Sequence, residues 1–356
     1  LFWTWVSAFF GMATIYAEAV LAQHYKTTVN GHVTGGPAYY IRAAFKGKVG
    51  KVLATVFSVL IILALGFMGN MVQSNSIGDA FHNAFGLNRL AVGVVVAAIA
   101  AFIFLGGVQR IAAVTEKVVP IMAAFYILGC IVILVINAKA LPGALAQVFV
   151  LAFEPQAMAG GIAGVTVQQS MRFGVARGLF SNEAGSGSAP CAAAAAECDD
   201  PVKMGLVQAL GVLIDTVVIC SCTAFLMLLV PQEITAGLNG MDLLQTAMQY
   251  HLGGFGIVFI AVILALFSFS TFLGVLYYAR GNVAYLCGDN WWSQTAYKLL
   301  ALAMLLVGGT QAYTVVWDLG DVGIGLMTIF NMLALIPLSG EALTALNDYE
   351  KRKKIK

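Results

Sequence analysis

An all-α polytopic membrane protein is the fold class this sequence predicts, and three observations predict it. Hydrophobic residues make up 60% of the chain and charged residues 10%, with a mean hydropathy of +0.88, whereas an average soluble domain is about 25% charged. Several stretches of about 20 apolar residues carry almost no charge, the length that crosses a hydrocarbon core about 30 Å thick. Basic residues also collect on alternate loops, as they do where those loops face the cytoplasm.

Apolar windows bounded by charges and glycines place nine spans, at 1–24, 52–78, 90–109, 118–138, 156–180, 203–230, 254–280, 296–314 and 319–338. Loop charges orient them. Lys26, Arg42, Lys46, Lys48 and Lys51, then Arg110 and Lys117, then Arg172, Arg177 and Lys203, then Arg280 and Lys298, and finally the tail from Lys351 to Lys356 fall on one side. The other side holds Arg89 and Lys139 against Asp79, Glu154, Glu233, Asp242, Asp318 and Asp321. The basic side is expected to be cytoplasmic, tail included, with Leu1 near the outside.

Leu1 opens inside an apolar run without a methionine or the layout of a signal peptide, so at least one further span is expected before it. Ten spans divide into two inverted halves of five, an arrangement of secondary transporters. The halves are 1–155, lacking its first helix, and 156–338, beginning with a broken helix; a basic tail, 339–356, follows.

Inverted-repeat transporters bind at the midplane, where the first helix of each half is interrupted. The second half opens Met158-Ala159-Gly160-Gly161-Ile162-Ala163-Gly164-Val165-Thr166. A glycine cluster serves either a break or a close-packed seam, and adjacent Gly160 and Gly161 fit the break better. In the second span Asn70, Gln73 and Ser74 share a helical face at i, i+3 and i+4; amides there bind a substrate group or glue helices together. Phe267-Ser268-Phe269-Ser270-Thr271 sets three hydroxyls within five residues. They are hard ligands for a small cation, or they bond back to their own helix and bend it.

Glu18 and Asp215 are the acids deepest in spans and are candidates for a proton or cation path. For Glu18, near the cytoplasmic end, local partnering is the better reading; Asp215 falls near mid-depth. The turn from Arg177 through Ser181-Asn182-Glu183-Ala184-Gly185-Ser186-Gly187-Ser188 to Pro190 lacks the Gly-Lys-Ser/Thr of a phosphate loop. It reads as a cytoplasmic latch, with Arg177, Asn182, Glu183 and Asp215 as gating candidates, or as plain loop capping. Six cysteines without zinc spacing read as packing residues, and a net charge of +2 spread over short loops excludes a nucleic-acid stripe. Paired acids, an activated nucleophile and a metal triad are all missing from the motifs, which argues against an enzyme and an organic cofactor.

Leu1-Phe2-Trp3-Thr4-Trp5-Val6-Ser7-Ala8-Phe9-Phe10-Gly11, the continuation to Ala19, Gly35-Gly36-Pro37-Ala38-Tyr39-Tyr40, Gly69 to Asn75 and Arg177 to Pro190 together resemble the alanine or glycine:cation symporter family, which has the leucine-transporter fold. Thr4 departs from the family's methionine, and Ser186 stands where a larger apolar residue is usual, a change expected to be tolerated. The resemblance implies sodium-driven uptake of alanine or glycine, by alternating access, across the cytoplasmic membrane of a prokaryote. It implies sodium ligation by the Phe267 carbonyl, Ser270 and Thr271, and substrate contacts from Gly160 to Thr166, including Gly161 and Gly164, from Gln73 and its neighbours, and from Ser268. The missing first helix would supply the other half of both sites. Two alternatives stay open: a proton-coupled amino-acid transporter of the same fold using Asp215 or Glu18, and a membrane receptor or subunit that does not transport.

Overall fold

The computed structural model describes residues 1–29, 31–105, 107–153 and 167–354. Helix α1 (Phe2–His24) leads through an antiparallel hairpin, β1 (Thr27–Val29) and β2 (His32–Thr34), to α2 (Pro37–Ala44). Next come α3 (Gly47–Phe85), α4 (Arg89–Leu105), α5 (Gly107–Ile136), α6 (Leu141–Phe153) and α7 (Val167–Asn182). The rest are α8 (Ala189–Ala195), α9 (Pro201–Leu228), α10 (Gln232–Thr235), α11 (Gly240–Leu252), α12 (Gly254–Cys287), α13 (Trp291–Gly308) and α14 (Tyr313–Lys354).

Local sequence sets the ends of these helices. Asp200 caps α9 by accepting from the Val202 amide, with Pro201 at the first helical position. Asn290 caps α13 by accepting from the Ser293 amide, and Gly86, at φ 68°, ends α3 in the left-handed conformation. Among the described residues, two long helices are not uniformly α. α3 widens to a π-helical stretch over Ile62–Gly69 and α9 over Leu213–Ile219, a feature frequent at functional sites.

Among the described residues, six helices are long and apolar enough to cross a membrane: α1, α3, the Ala113–Ile136 part of α5, α9, α12 and α14. Each expected span holds a helix among the described residues, the fifth over 167–180 alone, but three of the nine fall short of that measure. α4 has 17 residues, α7 has 16, and α13 lacks a sufficiently apolar window. The apolar helix α6 and the helix α11 fill segments expected to be loops. Large apolar side chains lie exposed on the outer faces, among them Phe102, Val135, Ile136 and Ile336, the surface a protein solvated by lipid presents. Inside, the largest cluster gathers Leu21, Tyr40, Phe57, Ile61, Val275 and Leu335 from α1, α2, α3, α12 and α14.

The contacts of α1 show how deep each element runs. Thr4 donates to the Gly174 carbonyl at 3.1 Å, and a Cβ on Gly178 would overlap Ser7. Gly11 packs on Asn182 and Ala184, Glu18 accepts from Gly185 and Gly187, and Gln23 donates to the carbonyls of Ala193 and Ala196. The segment 174–196 thus runs parallel to α1 from its start to its end, and α7 stops about halfway along it. α9 runs the opposite way, with Gly205 against Tyr16 and Ser221 accepting from the Trp5 indole at 2.7 Å.

The turn after the fifth span, read as a latch or as plain loop capping, is buried: Asn182, Ala184, Ser186 and Ser188 lie between α1, α2 and α14. One expectation is corrected here. Arg177 and Asp321, assigned to opposite sides by counting loop charges, are in direct contact. Counting fails for these two because both sit within helices, where charge bias does not operate.

Candidate functional site

Non-helical backbone at membrane depth persists only where protein satisfies its polar groups, and 183–188 meets that condition through one carboxylate. Glu18, fully buried, accepts from the amides of Gly185 at 2.9 Å and Gly187 at 3.0 Å. Asn331 of α14 donates to Glu18 at 2.6 Å and to the Gly185 carbonyl at 2.9 Å, and its own oxygen accepts from the Tyr40 hydroxyl at 2.5 Å. Four elements therefore meet on one buried network.

Within the loop, Glu183, Gly185 and Gly187 take positive φ values of 53°, 86° and 85°. Gly187 has a second constraint, since a Cβ would stand 2.6 Å from Pro37 and 2.7 Å from Phe57. The Glu183 carbonyl accepts from the amide and hydroxyl of Ser186, and its carboxylate accepts from the Ser188 hydroxyl. Ser186 also bonds Ser188 at 2.9 Å.

Glu183 shares a cavity of about 590 Å³ with Ser270, Thr271, Gly274 and Tyr278 of α12 and Thr115 of α5. The Ser270 hydroxyl donates to the Phe267 carbonyl at 2.8 Å, so two of the oxygens expected to bind an ion lie side by side on the helix. This is a back-bond to the preceding turn, and a cation there would meet both oxygens only after the hydroxyl proton turned away. Thr271 is exposed on the cavity wall, and Ser268 is buried.

Arg177 makes a forked pair with Asp321 at 3.2 and 2.9 Å and lies 4.6 Å from the centre of the Trp317 ring. Phe180 and Tyr313 pack on the same indole, at 4.9 and 5.7 Å. Asp215 is in the π-helical turn of α9, where its carboxylate accepts from Ser181 at 2.6 Å. Asn182 accepts from the Ala184 amide, while its buried Nδ2 has no partner among the described residues.

Asn70, Gln73 and Ser74 do not converge on that cavity. Asn70 donates to the Gly66 carbonyl within the π-helical stretch, and Ser74 faces Gly93 and Gly309. Asn70 Oδ1 and Ser74 Oγ are buried without partners among the described residues, and Gln73 is half-buried. Gly160, Gly161, Gly164 and Thr166 lie outside the described residues.

Beyond the end of α1, Tyr25 donates to Glu341, and burial together with that carboxylate pushes its hydroxyl up to about 12. Sequence reading missed Asn331, Trp317 and Tyr40 as site residues. Asn331 carried a signal, a lone amide within the apolar run 329–336; Tyr40 carried one only as the end of the motif from Gly35, and Trp317 carried none.

A bundle of membrane-length helices arranged around buried carboxylates and amides defines a polytopic membrane protein with a polar interior. The chain belongs to the sodium:alanine symporter family, whose profile matches residues 1–356. It is accordingly a transporter and no enzyme, of a family whose coupling ion is sodium. It is 40% identical over 356 residues to the amino-acid carrier protein AlsT of Bacillus subtilis, covering 99% of this chain and 74% of that one. It is similarly 42% identical over 355 residues to the probable sodium/glutamine symporter GlnT of the same organism, covering 99% and 72%. The sodium/alanine symporter AgcS of Methanococcus maripaludis is 37% identical over 361 residues, covering 99% and 78%.

Proposed function

We propose that this protein couples the entry of sodium to uptake of a small neutral amino acid, alanine or glycine, across a prokaryotic cytoplasmic membrane by alternating access. The observation that carries this reading is the common cavity, where the candidate sodium oxygens of Ser270 and Thr271 face the loop residue Glu183. Its volume of about 590 Å³ is within the range of about 300–1,000 Å³ usual for small-ligand sites. In the proposed cycle the Phe267 carbonyl, Ser270 and Thr271 bind sodium. Substrate contacts come from Gly160, Gly161, Gly164 and Thr166, with Gln73 and Ser268 beside them and Asn70 and Ser74 supporting from the neighbouring helix.

The proposed scaffold is a leucine-transporter-type pair of inverted repeats, 1–155 and 156–338, that rock against each other. Arg177 with Asp321 closes one end of the pathway, and the loop at Asn182 and Glu183 closes the other. Ion and substrate favour the same closed state, which is what couples them.

Proton coupling in the same fold through Asp215 or Glu18 is the rival. Against Glu18 in that role, its hydrogen-bond partners among the described residues are all donors, namely two backbone amides and Asn331, so none is placed to take a carboxyl proton. The test is uptake of labelled alanine by proteoliposomes holding the protein, driven in turn by a sodium gradient and by a pH gradient, with glycine and glutamine as competitors. Sodium-driven uptake blocked by glycine supports the reading. Uptake that ignores sodium and follows the pH gradient overturns it, and competition by glutamine alone moves the substrate to the larger amide.

A further inference from the structure

Asp215 stands well inside the membrane without a basic partner. It lies 14 residues into α9, about 21 Å along the helix, between the levels where Gly205 meets Tyr16 and Ser221 meets Trp5. Ion pairs among the described residues join Arg89 to Asp79, Arg177 to Asp321, Lys203 to Asp199, Arg280 to Asp289, and Lys351 and Arg352 to Asp348 and Asp200; none reaches Asp215. The ionisable groups that interact with it, Glu183 and the Cys220 thiol, bring no positive charge. A carboxylate at that depth needs a counter-charge or a proton.

The surroundings are oxygen-rich and shaped by two special backbone features. Ser181 Oγ is 2.6 Å from Asp215 Oδ2 and 3.1 Å from Thr216 Oγ1, and Thr216 is fully buried. Ser181 belongs to the last turn of α7, where the helix dipole presents its negative end. Asp215 and Thr216 belong to the π-helical turn of α9, in which the Cys220 amide reaches back five residues to the Asp215 carbonyl. A carboxylate, two hydroxyls and a helix C-terminus are hard, electronegative groups of the kind that hold a small monovalent cation.

We propose that Asp215, Ser181 and Thr216 form a second sodium site, separate from the oxygens of Phe267, Ser270 and Thr271. Two sodium ions then accompany each amino acid, and the second joins the end of α7 to the wide turn of α9. Binding there favours the arrangement in which the loop 183–188 stays packed, because Ser181 immediately precedes it.

This inference rests on the sodium-coupled reading above, and the experiment separates the two. Fluxes of radiolabelled sodium and labelled alanine are measured together in proteoliposomes for the wild type, Asp215→Asn and Ser181→Ala, each checked for monodispersity in detergent. The expected ratio of sodium to alanine is 2 in the wild type and 1 in Asp215→Asn. Ser181→Ala, which keeps the carboxylate and the helix, is expected to raise the half-saturating sodium concentration about tenfold while keeping the ratio of 2. A wild-type ratio of 1, or a ratio of 2 that survives Asp215→Asn, overturns the second site and leaves sodium coupling intact. A pH gradient that drives alanine uptake in the wild type and fails to in Asp215→Asn assigns the carboxylate to a proton and likewise overturns it. Alanine uptake without any sodium flux defeats the coupling reading itself.

Discussion

Arg177 and Asp321 clamp α7 to α14 through a two-pronged ion pair, 3.2 and 2.9 Å long, with the guanidinium stacked on Trp317 at 4.6 Å. The fork and the stacking both depend on the planar guanidinium. Both partners remain partly exposed, at 39% and 30%, so solvent screening holds the pair to about 1 kcal/mol, with a further contribution of about 0.5–1 kcal/mol from the indole.

Arg177→Lys keeps the charge and loses the fork. Uptake is expected to fall several-fold, with a melting temperature within about 4 °C of wild type. Exchanging the charges in an Arg177→Asp, Asp321→Arg double variant is expected to recover part of what either single change loses. Independent, additive losses in transport assays of the two singles and the double would contradict a clamp.

Asn331 serves Glu18, the Gly185 carbonyl and Tyr40 together. Asn331→Leu fills the space but leaves a buried carboxylate, a carbonyl and a hydroxyl each short of a partner, at about 1–3 kcal/mol per orphaned group. Thermal unfolding in detergent should show a clear drop in melting temperature. A melting temperature equal to wild type would mean that the loop is held by something other than this network.

Gly187 and Gly143 are both glycines, and their alanine variants should move in opposite directions. Gly187 has φ 85° and no room for a Cβ, so alanine there is expected to cost at least about 1–3 kcal/mol. Gly143 is in α6 with open space around it, and alanine is expected to be neutral or to gain about 0.5–1 kcal/mol in helix propensity. The two melting temperatures, measured side by side, decide this.

Helix positions were legible because composition at membrane depth admits few alternatives, and each span expected from apolar windows holds a helix among the described residues, the fifth from residue 167 onward. Depth was less legible. The windows ended the fifth span at residue 180 without indicating that the chain stays buried to Ser188, because Glu18, 165 residues before Glu183, is what satisfies that backbone. Wide π-helical turns at Ile62–Gly69 and Leu213–Ile219 left no mark in the apolar pattern, since one extra residue per turn hardly changes it. Ser186 was expected to be a tolerated change; it is 1% exposed and bonds both Glu183 and Ser188, a role visible only once the loop is folded. Hydroxyl density marked Ser268, Ser270 and Thr271 together, the family resemblance singled out Ser270 and Thr271 as ion ligands, and their nearness to Glu183 needed the fold.

The central claim is that the Ser270 and Thr271 face of α12 binds the sodium that drives uptake. It is tested most directly by the sodium dependence of alanine uptake into proteoliposomes, comparing wild type with Thr271→Ala. Loss of one oxygen ligand is expected to raise the half-saturating sodium concentration about tenfold or more, since a lost ligand worth about 1.4 kcal/mol is a factor of ten. Maximal uptake at high sodium should be largely kept. An unchanged sodium dependence in Thr271→Ala would contradict the site.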